Sequence, residues 1–148
     1  MELTGEYRIP APREQVWAAL NDPAILEACI PGCDEFEMTS PTEFKAKVTT
    51  KIGPVKAKFK GAVTLSEINP PESYTISGSG EGGIAGHAKG GAHVVLTEEQ
   101  EGTLLTYTAD AQVGGKIAQI GSRLIKSTSK KLADKFFSAF SEKLGGEV

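Results

Sequence analysis

The chain has 148 residues, 39% of them apolar and 24% charged, an ordinary globular balance that excludes a disordered or fibrous polymer. That length suits one domain, 1–148, around one sizeable core. The formal charge of −3 excludes a general nucleic-acid binder, which carries a basic surplus, so no nucleic-acid partner is expected.

No stretch approaches the ~18 to 20 apolar residues of a membrane span. MELTGEYRIP has no apolar run behind basic residues, so no leader is expected and the protein should be cytoplasmic. Any membrane contact would be peripheral.

Residues 3–9 read as a first strand, closed by Pro10 and Pro12. A helix over about 12–20 places Val16, Trp17 and Leu20 on one side. Asp22 is the expected N-cap of a second short helix, with Pro23 at its first position and Pro31-Gly32 at its end. Cys29 and Cys33, the only two cysteines, lack further ligands for a zinc site and partners for a disulfide framework, so two reduced thiols and no metal are expected.

From 33 to 113 the apolar period falls to two. Phe44, Ala46, Val48 and Ile52 alternate with Lys45, Lys47 and Lys51; Val55, Ala57, Phe59, Val63 and Leu65 alternate with Lys56, Lys58 and Lys60. In 73–80 the inner set is Tyr74, Ile76 and Gly78. In 84–97 it is Ile84, Gly86, Ala88, Gly90, Ala92, Val94 and Leu96, and in 103–113 Leu105, Tyr107, Ala109, Ala111 and Val113. With 33–39 this makes six consecutive strands joined by short turns, hence antiparallel hairpins. Residues 116–144, with no Pro, carry apolar residues at helical spacing and predict one helix of roughly 44 Å, long enough to cross a sheet. The order is an α+β helix-grip: a curved seven-stranded antiparallel sheet around a long C-terminal helix, with two short helices after the first strand.

The inward residues are small. Ala46, Ala57, Gly61, Gly78, Gly86, Ala88, Gly90, Ala92, Ala109 and Ala111 all fall on the face turned to the long helix. Small residues can let the helix sit close or let curved strands bend at Gly; they can equally leave a pocket. An empty ~300 Å³ void costs about 7 kcal/mol, against a total stability of ~5–15 kcal/mol. A pocket of that size would therefore be filled or collapsed, and an apolar lining makes water a poor occupant. The pocket reading puts Phe59, Tyr74, Ile76, Tyr107, Ile117, Ile120 and Leu124 on the wall, with Gly86, Ala88, Gly90 and Ala92 providing room.

Catalytic chemistry is thin. His87 and His93 have outward parity and no Cys, Ser or carboxylate at catalytic spacing, and Asp110 also points outward. Gly78-Ser79-Gly80-Glu81-Gly82-Gly83 satisfies G-x-G-x-x-G, but a strand pattern follows where dinucleotide binding requires a helix. No catalytic residue is assigned. Lys45, Lys47, Lys56, Lys58 and Lys60 share an outer face, which either solvates exposed strands or docks an acidic partner or anionic membrane.

PAPREQVWAALNDPAILEACIPGC, GPVKAKFKGAVTLSEINPPESYTISGSGEGGIAGHAKGGA and LLTYTADAQVGGKIAQIGSRLI resemble the family of the carbon monoxide dehydrogenase G subunit, within the START-like, or polyketide cyclase-like, superfamily. IPGC and GGxAGxAKGGA are the specific elements, and the likeness runs from about 1 to 144. The resemblance implies a helix-grip fold and an accessory role beside a molybdenum-containing CO dehydrogenase or related hydroxylase. It also implies recruitment of that enzyme to the membrane and binding of a respiratory quinone, whose tail would suit an apolar tunnel. A non-catalytic carrier of a quinone or lipid, with no covalent cofactor, is the leading expectation. A polyketide cyclase-type enzyme and a maturation or assembly factor acting through its surface are the alternatives.

Overall fold

Alternation of apolar and polar residues makes each strand one-sided, and the computed structural model, which describes residues 1–145, joins all the strands into one sheet. The last three residues of the expected 1–148 domain lie outside the described residues. The elements are β1 (Glu2–Ile9), α1 (Arg13–Leu20), α2 (Pro23–Cys29), β2 (Cys33–Ser40), β3 (Glu43–Ile52), β4 (Val55–Asn69), β5 (Ser73–Glu81), β6 (His87–Glu99), β7 (Gly102–Gly114) and α3 (Ser122–Lys143). The seven strands run in the order β1-β7-β6-β5-β4-β3-β2, antiparallel throughout. This is the helix-grip arrangement.

The local signals act as expected at α2, where the Asp22 carboxylate accepts from the Ala24 N–H at 3.0 Å and Pro23 opens the helix. The core gathers at one end of the sheet. Ile9, Val16, Leu96, Leu105 and Phe140 are fully enclosed there, and the Thr103 hydroxyl donates to the Ala11 carbonyl at 2.8 Å.

Two expectations are corrected. The helix foreseen over 116–144 is broken: Lys116–Ile120 forms a 3-10 turn, and α3 starts only at Ser122. Gly121 between them has φ +102°, a conformation that interrupts the helical hydrogen-bond ladder and that glycine adopts without a Cβ penalty. With 22 residues, α3 is roughly 33 Å long rather than 44 Å. Ile84 is not an inner-face strand residue either. It sits in a 3-10 turn, Gly83–Ala85, at 92% exposure, and β6 begins after Gly86.

Register aligns the small residues into adjoining rows on the inner face. Ala109, Ala92 and Ile76 form one row; Ala111, Gly90 and Gly78 the next; Ala88, Gly80, Gly61 and Ala46 the third. The main backbone neighbours of α3 are α2, β1, β3 and the 3-10 turn before it. The helix thus rests near the two margins of the curved sheet and bridges its middle.

Candidate functional site

Beneath that bridge lies a chamber of about 320 Å³. Leu20 closes it from α1, Leu26 and Ile30 from α2 and its end, and Ala133, Phe136 and Phe137 from α3. The sheet contributes Phe44, Leu65, Tyr74, Ile76, Ala92, Val94, Leu105 and Tyr107. Every lining side chain is hydrocarbon except the two tyrosines. A broader depression of about 660 Å³ lies outside the fold, between Arg8, the β6–β7 turn and Ser141. Charged and polar residues line most of it beside Ile9 and Pro10, and Arg8 and Glu99 are paired there at 3.2 Å.

Of the residues expected to form the wall, Tyr74, Ile76, Ala92 and Tyr107 meet in the chamber. The others stand elsewhere. The Phe59 ring covers Gly82, and the buried Ile117 packs on Gly86. Ile120 and the exposed Leu124 lie against Gly53, at the β3–β4 turn. Ala88 is half-buried in the small-residue row beyond the chamber. Gly86 has φ +120°, and a Cβ on Gly90 would collide with the Asp110 carbonyl oxygen, so backbone geometry accounts for both glycines. The contributions of α2, Phe44 and the aromatic stretch of α3 escaped the sequence reading. The Phe136-Phe137 pair was the signal that could have found the last of these.

The aromatic wall is held in place by a polar clasp outside it. Tyr7 stacks on Phe137, with centroids 4.2 Å apart, and on Tyr107 at 6.4 Å. Its hydroxyl donates to the Asp134 carboxylate at 2.7 Å, and Lys130 donates to the same carboxylate at 3.3 Å. Burial, then the Asp134 hydrogen bond, raises the Tyr7 pKa above the ordinary phenol value. The same hydrogen bond, helped by Lys130, holds Asp134 below the usual carboxylate range. Tyr74 packs edge-on against Trp17 at 5.3 Å, and burial pushes its phenol up to about 12.

No group of three His, Cys, Asp or Glu among the described residues is placed to hold a metal. His93 Nδ1 lies 3.1 Å from the Thr75 hydroxyl on the outer face, Asp110 pairs with the N-terminal amine, and His87 lies over Gly114. Cys29 is buried and Cys33 half-buried, and each is a free thiol. The five lysines are exposed. Lys47 is paired with Glu35 at 2.9 Å, Lys45 faces Glu37, and Lys60 faces Glu81. Lys58 faces Thr49, and Lys56 faces Lys51, so the uncompensated charge concentrates at the β3–β4 tip. No helix among the described residues is long and apolar enough to cross a membrane.

No curated protein matches the sequence. Among solved structures, a conserved protein from Geobacillus kaustophilus is 34% identical and superimposes with a TM-score of 0.92, over 98% of this chain and 95% of that one. A START superfamily protein from Mycobacterium smegmatis is 11% identical with a TM-score of 0.74, over 99% of both chains. A protein from Rhodobacter sphaeroides is 18% identical with a TM-score of 0.71, over 99% of this chain and 93% of that one. The last two are likenesses of fold alone. The family model for the carbon monoxide dehydrogenase G subunit (CoxG) matches residues 5–145, so this helix-grip chain belongs to the CoxG family.

Proposed function

We propose that the protein is a non-catalytic accessory subunit that carries an apolar molecule, a lipid or respiratory quinone, in the chamber beneath α3. The observation that carries this reading is the chamber itself: about 320 Å³ of space walled by aliphatic and aromatic side chains. Left empty and sealed, that volume would cost up to roughly 8 kcal/mol, which favours an occupied state. Membership of a family named for a dehydrogenase subunit supports a CO dehydrogenase, or a related molybdenum hydroxylase, as the partner. The lysine-rich β3–β4 tip, with Lys51, Lys56 and Lys58 unmatched by acids across the ladder, suits docking on an acidic partner or an anionic membrane surface. A cyclase-type reaction would need polar groups converging in the chamber, and two tyrosines are a poor basis for one.

Titration with cis-parinaric acid, a fluorescent lipid, tests the reading. Saturable one-to-one binding is expected in the native chain, and its loss in Ala133→Trp, which fills the chamber from α3. Equal binding by a well-folded Ala133→Trp protein would remove the carrier role and leave recognition of the dehydrogenase through the surface alone.

A further inference from the structure

The chamber lining holds two polar side chains, and their hydroxyls have different surroundings. The Tyr107 ring lies over Gly5, its hydroxyl 2.9 Å from where a Cβ would stand there, beside the stacked Tyr7 and its Asp134 clasp. Neither hydroxyl has a side-chain hydrogen bond among the described residues, and of the two residues Tyr74 is the one almost wholly buried, Tyr107 being half-buried. A buried phenol ordinarily finds one. The single sealed and unpartnered side-chain polar atom among the described residues is Arg13 Nε, so the Tyr74 oxygen is not closed in by protein. Tyr74 is itself only 5% exposed, and it lines the chamber.

We propose, resting on the carrier reading, that Tyr74 selects the ligand by donating a hydrogen bond to a carbonyl oxygen, so that the chamber prefers an apolar ketone to a plain hydrocarbon. The ring is well placed to aim the group: Trp17 meets it edge-on and Val94 pairs with it across β5 and β6. With its pKa pushed up to about 12 by burial, the phenol keeps its proton and stays a donor throughout the physiological range. Every other atom a ligand meets on the wall away from Tyr107 is hydrocarbon, so one polar contact decides which end of the ligand lies toward the core.

The test compares 1-tetralone with tetralin, which share a bicyclic skeleton and differ by one carbonyl, on the full chain and on Tyr74→Phe. Calorimetric titration should show tetralone binding weakened about three- to tenfold in Tyr74→Phe, the range of one neutral hydrogen bond, with tetralin unchanged. The infrared carbonyl stretch of tetralone bound to the unmodified chain should move to lower frequency than in hydrocarbon solvent, a reading that needs no variant. Equal effects of Tyr74→Phe on both compounds, or an unshifted carbonyl stretch, would overturn the proposal while leaving the carrier reading in place. Binding of neither compound to the unmodified chain would overturn both.

Discussion

Replacing Ala92 by Ile asks whether the space beneath α3 is real. Ala92 lies on the inner face of β6, paired with Ile76 on one side and Ala109 on the other, and it faces the chamber. Isoleucine adds three carbons, worth about 2.4 kcal/mol at roughly 0.8 kcal/mol per buried CH2, less about 0.5–1 kcal/mol of side-chain entropy. The position is in a strand, where a β-branched side chain fits well. In ligand-stripped protein the variant should gain about 1–2 kcal/mol, raising Tm by about 2–8 °C. Were the helix already against the sheet, the same side chain would overpack the core and cost about 1–3 kcal/mol. The sign therefore decides. Scanning calorimetry reads it, and a lowered Tm would refute the chamber.

Two kinds of glycine should separate in urea denaturation. Gly90→Ala, whose Cβ meets the Asp110 carbonyl, should cost about 1–3 kcal/mol, whereas Gly80→Ala, with its nearest neighbour 3.7 Å away, should be neutral or stabilising. Asp134 has a depressed pKa in the folded state, so its contribution is present above the ordinary carboxylate pKa and fades as pH falls through the lowered value. In Tyr7→Phe the Asp134 midpoint, followed by NMR, should move upward. Burial keeps Tyr74 neutral, so that contribution is complete below pH 10.0 and declines as pH rises toward about 12, which an alkaline unfolding curve of Tyr74→Phe should lack. Reversing Lys56 and Lys58 to Glu should weaken binding to anionic vesicles or to the dehydrogenase without changing Tm, as co-sedimentation and pull-down would read; unchanged binding would free the β3–β4 tip of any docking role.

Much of the fold was legible because a period of two assigns faces within a strand. Lys45, Lys47, Lys56, Lys58 and Lys60 all point outward, and Ala46, Val48, Ala57 and Phe59 are half-buried on the other side. Parity says nothing about position along the sheet, and there the site reading slipped. Reading 116–144 as one helix puts Ile117, Ile120 and Leu124 on the pocket wall; with the helix broken at Gly121, Ile117 packs on Gly86, Ile120 and Leu124 lie against Gly53 at the β3–β4 turn, and the roof is left to Ala133, Phe136 and Phe137. The small inner residues proved to be of two kinds. Ala92 opens space, while Gly86 and Gly90 answer to backbone conformation and close approach. A one-letter pattern does not distinguish these cases, because both need a missing side chain and only the path of the neighbouring backbone tells them apart.

Mass spectrometry of an organic extract, taken from protein purified without detergent, confronts the carrier role most directly. A lipid or quinone recovered at close to one molecule per chain, and absent from extracts of Ala133→Trp, is the predicted result. A clean extract from folded native protein, together with no saturable uptake of added lipid, would contradict it.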